Sequence, residues 1–204
     1  MGDLEHALSQ VEFIQHRFAA STRFRGFAPQ TVALTAILAI ALASAQTVWP
    51  TAFGAQGLGF VQAWILAAMV ATSLVGVEAM ARSRRLHGRM ADLMMAGTLR
   101  LLLPFGAAGI VITLVIVKTT PQTIWILPGL WQLLVALIGF SAANTLPRTI
   151  IWASAWFFLC GTVVLLLAGR AGAATPWMMG IPFGVGQMLV AAILYHAGKS
   201  DARH

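Results

Sequence analysis

Charge is what this chain has least of. Asp, Glu, Lys and Arg make up 9% of its 204 residues, against about 25% in a soluble domain. A chain that is 59% hydrophobic cannot hide its apolar surface in one water-soluble core, so its solvent must be a bilayer. Acids are scarcer still, six against thirteen Lys and Arg. Within the long apolar runs there is one carboxylate, Glu78, and no Lys, which removes the Ser–Lys and paired-Asp arrangements an intramembrane hydrolase requires. H-E-x-x-H, P-loop and G-x-S-x-G patterns are also missing. The single cysteine, Cys160, has no disulfide partner and sits in an apolar run as a small packing residue. No His/Cys pair has zinc-ligand spacing. His196 alone of the five histidines lies at an apolar run, at its end, so a bis-histidine haem would lack its second ligand. No enzymatic activity, no cofactor and no metal site is expected.

What the chain does have is six apolar runs, near 30–49, 60–80, 98–117, 124–143, 149–169 and 178–197, each close to the ~20 residues a bilayer requires. The fold class expected is all-α: a polytopic membrane protein with six transmembrane helices and an N-terminal amphipathic cytoplasmic helix. Residues 1–28 form that helix and its connector; residues 29–204 form the membrane domain. "ALASAQ" closes the first run with the small-x-small pattern of a signal-peptidase site. A charged leader of some thirty residues is long for a signal peptide, so the helix is expected to stay uncleaved.

The net charge of +7 could suggest nucleic acid, but the cations lie between the runs, where membrane topology places them. Arg17, Arg23, Arg25, Arg82, Arg84, Arg85, Arg89, Arg148, Lys199 and Arg203 fall on one side. Only Lys118 and Arg170 fall on the other. Lys and Arg accumulate in cytoplasmic segments, which places both termini in the cytoplasm of an inner-membrane protein. Trp49, Trp125 and Trp177 fall at the opposite level, where an indole keeps its N–H wet and its ring in the apolar boundary. Ahead of the first run, Leu4, Leu8, Val11, Ile14 and Phe18 recur at helical spacing, with Glu5, Glu12, His16 and Arg17 on the other face. Such a helix lies on the membrane surface, caps its own bundle or docks a partner.

"TIWILPGLWQLLVALIGF" (123–140) and "TPWMMGIPFGVGQMLVAAILY" (175–195) repeat one plan, and "GFVQAWILAA" (59–68) repeats it faintly. Each has Gly three residues before Gln: Gly59 and Gln62, Gly129 and Gln132, Gly184 and Gln187. Composition alone predicts roughly one such pair. Three tandem hairpins over 29–80, 92–143 and 149–197 account for it, as parallel repeats about an axis along the membrane normal. Two readings of the glutamines stand. Gly with Gln one turn on suits a close, hydrogen-bonded helix contact. Alternatively, Gln62, Gln132 and Gln187 line a polar pocket open to the outside, where Pro128 and Pro182 would either break helices or sit harmlessly in first turns.

Glu78 and Arg100 are the charges nearest the hydrocarbon. Counted from the "RRLHG" tip, they reach similar depths on antiparallel helices, so a buried ion pair is expected, with snorkelling to headgroups or a proton relay as alternatives. Arg82, Arg84, Arg85 and Arg89 form a cytoplasmic basic rim.

The leader "LSQVEFIQHRFAASTRF", the helix "LPGLWQLL" and the closing "PWMMGIPFGVGQMLVAAILYH" together resemble a loose group of uncharacterised small bacterial six-span membrane proteins. The resemblance covers most of the chain. Members are often encoded beside a winged-helix transcriptional regulator, which implies a signalling or regulatory role. The three-hairpin plan is similar in outline to mitochondrial carriers, but their acidic and basic Pro signature is missing here. The reading is a non-enzymatic membrane protein acting through protein contacts, as regulator or scaffold; the alternative is a small-solute transporter or channel with the Gln-lined pocket. The partners expected are the bilayer and a protein at the cytoplasmic face, with no nucleic acid; no oligomeric state follows.

Overall fold

Prolines and glycines punctuate the chain where the apolar runs begin and end. The computed structural model describes residues 28–87, 91–144 and 147–201. Helix α1, Pro29–Val48, opens on a proline in its first turn, where the missing N–H costs nothing. A loop with Gly54 and Gly57 at positive φ leads into α2, Gly57–His87. Helix α3, Ala91–Thr119, follows. A 3₁₀ turn, Pro121–Ile126, feeds α4, Leu127–Ser141. Helix α5, Ile150–Ala171, ends at Gly172 in the left-handed conformation, which glycine adopts freely because it has no Cβ to clash. Helix α6, Trp177–Asp201, closes the chain.

The described residues contain no strand. Six helices among them are long and apolar enough to cross a membrane, and each coincides with an expected run. The chain is therefore built as a multi-pass membrane protein. The leader helix expected over 1–28 lies outside the described residues but for its last position, as does Arg89. The side chain of Arg85 is likewise not described.

The closest packing pairs the first helix with the last, α1 with α6, and α4 with α5. In lipid, helices associate through van der Waals contact that small residues make close. Both pairs follow that rule. Gly180 and Gly184 of α6, one turn apart, face Ala39, Ala43 and Ile40 of α1, and a Cβ at Gly180 would lie 2.5 Å from that of Ala43. Across α4 and α5, Gly129 and Gly161 meet backbone to backbone: a Cβ at Gly129 would lie 2.9 Å from the Gly161 carbonyl oxygen. Neither pair is one of the expected hairpins. The consecutive helices of each hairpin touch less extensively.

Two apolar clusters bind the rest. Ala39, Ala43, Phe60, Trp64 and Met179 join α1, α2 and α6. Val61, Ile124 and Leu127, flanked by Ile112, Ile116 and Trp131, join α2, α3 and α4. Both draw on the first turns of α2, and the second also on the last turns of α3. Away from that end the described residues of the two helices are less covered, although Ala79 of α2 stays buried. A third or more of the apolar window is buried in each of the other four helices, but 17% in α2 and 6% in α3.

Candidate functional site

Of the buried polar side chains, Gln46, Thr113 and Gln132 lie toward the end bearing Trp49 and Trp177, and Thr31, Thr35 and Ser154 toward the other. Three indole N–H groups each cross to a neighbouring helix. Trp64 of α2 donates to Gln46 Oε1 of α1 at 3.0 Å. Trp131 of α4 donates to Thr113 Oγ1 of α3 at 3.0 Å, and that hydroxyl in turn donates to the Gly109 carbonyl. Trp156 of α5 donates to the Pro182 carbonyl of α6 at 3.0 Å. The pairs α1–α2, α3–α4 and α5–α6 thus each carry one tryptophan clasp. An indole suits this place because its apolar body packs while its single donor finds a partner.

Gln46 is fully buried and organises the loop after its own helix. Its Nε2 donates to the carbonyls of Phe53 (3.2 Å) and Gly54 (2.8 Å). All of its amide is engaged across two helices and a turn.

Gln132 is also fully buried. Its Nε2 donates to the Met178 carbonyl at 2.8 Å and lies 3.9 Å from Met179 Sδ. The reason is four residues further on. Pro182 lies inside α6 and has no N–H, so the carbonyl one turn back, that of Met178, loses its intrahelical donor. Gln132 supplies the replacement. The opposite amide orientation would set two oxygens against each other, so Oε1 points away and accepts no hydrogen bond. It is the one buried side-chain polar atom in that condition among the described residues.

The other two glutamines occupy different surroundings. Gln62 is exposed, on the face of α2 opposite the buried Phe60, Val61 and Trp64. It is five residues into its helix, about 8 Å from the start. Gln187 is half-buried. Neither makes a hydrogen bond to a described residue. An exposed and a fully buried side chain do not share a pocket wall, so the three glutamines are not brought together. Their glycines do serve close contact: Gly129 against α5, Gly184 against α1, and Gly59 against Gly54 in the α1–α2 loop. Of the two prolines, Pro128 falls in the first turn of α4 and Pro182 inside α6.

Glu78 is half-buried and Arg100 exposed, and neither has an ion-pair partner among the described residues. Helical rise fixes the depth of a side chain but not the direction it faces, and matching depths did not bring these two together. Arg82 and Arg84 are exposed. Helix α2 has 31 residues, about 46 Å at 1.5 Å per residue, so its last turns project beyond a hydrocarbon layer of about 30 Å. Among the described residues no group of three or more His, Cys, Asp or Glu could hold a metal ion.

Chemically, these contacts offer donors and acceptors, with no charged side chain and no nucleophile set beside a base. Their work is to tie helices together and to repair the break at Pro182. Sequence reasoning passed over Gln46, Thr113, Trp64, Trp131 and Trp156. The signal was available for two of the contacts: a Gln inside an apolar run needs partners, and a proline inside a helix leaves a carbonyl that needs a donor. The chain matches no protein-family model. Nor does it match any curated protein or solved structure.

Proposed function

We propose that this chain is a non-enzymatic integral inner-membrane protein that acts through protein contacts, in a regulatory or scaffold role, with both termini in the cytoplasm. The observation that carries this reading is how the small residues are used. In α4, α5 and α6 every glycine but Gly198 packs against a neighbouring element, and in α1 Ala39 and Ala43 meet Gly180 of α6. In α2 and α3, beside the inward Gly59, Ala79 and Gly109, others face outward: a Cβ added at Gly76 or at Gly106 would meet nothing within 4 Å, and Ala68, Thr72, Ser73 and Ala107 are exposed. Lipid chains gain nothing from glycine, whereas an approaching helix does. The weakly covered parts of α2 and α3 are therefore the surface for a membrane-embedded partner, and the protruding end with Arg82 and Arg84 is the cytoplasmic rim beside it. The resemblance to small bacterial six-span proteins, often encoded beside regulators, agrees with this role, as would a three-hairpin repeat, since α1–α2, α3–α4 and α5–α6 each carry one tryptophan clasp.

A photo-reactive amino acid placed in cells at Val77, Leu103 or Ile110, all more than half exposed, tests the reading. Discrete protein adducts are expected there and not at Leu166 of α5, which is 62% exposed. Lipid adducts alone at all four positions would refute it.

The transporter reading retains one observation in its favour: the unpartnered Gln132 Oε1 beside the Pro182 break. It requires that oxygen to reach water from the tryptophan end.

A further inference from the structure

At the opposite, basic end, α5 begins where α6 ends, and a groove of about 370 Å³ opens between them. It is lined by Thr149, Leu189, Ala192, Ile193, His196 and Ala197. We propose that this groove binds the headgroup and first methylenes of an anionic phospholipid. Its depth in the bilayer is set by its walls: Thr149 directly precedes the apolar window beginning at Ile150, and His196 lies just before the end of the window at Lys199. The groove therefore spans the boundary between hydrocarbon and headgroups.

Its chemistry is divided in the same sense. Leu189, Ala192, Ile193 and Ala197 form an apolar floor suited to acyl chain, which a soluble phosphate ester would not use. The rim is cationic or hydrogen-bonding. Arg148, next to Thr149, is exposed and has no ion-pair partner among the described residues. Thr149 is the N-cap of α5 yet makes no side-chain capping bond, which leaves its hydroxyl for a phosphate at the positive end of the helix. Lys199 lies one turn past His196 at the same level, beside the groove rather than in its wall, with Nζ 5.1 Å over the Tyr195 ring. Among the described residues no Asp or Glu lines the groove. Cationic pockets between helix ends at this level select anionic headgroups over zwitterionic ones.

The test uses the full-length protein in phosphatidylcholine vesicles with spin-labelled phosphatidylglycerol or spin-labelled phosphatidylcholine, reading the motionally restricted fraction of each. Phosphatidylglycerol should be preferred, and Arg148→Gln or Lys199→Gln should each reduce the preference about fivefold, the effect of one cation near the surface. Ala192→Phe fills the floor without changing charge, at an exposed position that leaves the fold alone, and should also abolish the preference. Equal association of the two lipids with the unmodified protein would overturn the proposal. So would a preference that survives Ala192→Phe, which would reduce the effect to general surface charge. Displacement of the labelled lipid by glycerol phosphate at similar concentration would assign the groove to a soluble anion and overturn it as well.

Discussion

Adding one methyl group where α6 crosses α1 provides the sharpest mechanical test of this bundle. In Gly180→Ala the new Cβ would lie 2.5 Å from the Cβ of Ala43, against about 3.5–4.0 Å for carbon atoms at rest. Ala43 is fully buried, and a Cβ cannot rotate away, so the two helices must separate by about 1 Å. Overpacking of this kind costs about 1–3 kcal/mol. The same substitution gains up to about 1 kcal/mol of helix propensity, so net destabilisation shows that the steric term wins. The reverse change, Ala43→Gly, loses propensity by about 1 kcal/mol but makes room. The double variant should therefore be more stable than the sum of the singles by at least about 1 kcal/mol. Unfolding followed by tryptophan fluorescence in a matched membrane mimic, run as a double-mutant cycle, measures that coupling. Additivity within about 0.5 kcal/mol would mean that α1 and α6 do not meet at these residues.

Three further outcomes follow from individual contacts. Pro182→Ala returns an N–H to the Met178 carbonyl, so Gln132→Leu should destabilise less in that background than in the parent, by up to the ~0.6–1.7 kcal/mol of an interhelical bond in lipid; equal costs would separate Gln132 from the proline break. Gln46→Leu strands two loop carbonyls and the Trp64 indole and should lower the unfolding temperature more than Trp64→Phe, which strands one acceptor; the reverse order would refute the shared network. Glu78→Gln and Arg100→Leu should be additive in stability, since the two side chains do not pair, and a measured coupling above about 0.5 kcal/mol would contradict their separation.

The helices themselves were legible because hydrophobic length is a one-dimensional property. Each apolar run returned as a helix, and Pro29 and Pro121 lie where first-turn prolines belong. Which helices pack together is a matter of azimuth, and there the sequence was ambiguous. Tandem repetition gave the order of the hairpins but not which helices pack most closely, and Gly180 and Gly184 draw the last helix onto the first. The G-x-x-Q repeat illustrates the limit well. Its glycines all serve close approach, because backbone contact depends on a missing side chain. Its glutamines diverge into exposed, half-buried and buried positions, because a one-residue difference in register turns a side chain by 100°. The Glu78–Arg100 pairing failed for the same reason. Gln132 could have been placed more securely from Pro182: a carbonyl freed inside an apolar bundle must be satisfied by some polar side chain.

The central claim is that the buried polar groups hold helices together, which leaves the outer faces of α2 and α3 to meet a partner. Its most direct test is the aqueous accessibility of position 132. In a Cys160→Ala background, Gln132→Cys should resist a membrane-impermeant thiol reagent applied to intact cells, while Trp49→Cys, at a position 58% exposed in the first loop, should label readily. Rapid labelling at 132, suppressed by a small solute, would contradict the claim and establish an outward-open pocket in place of a packed contact.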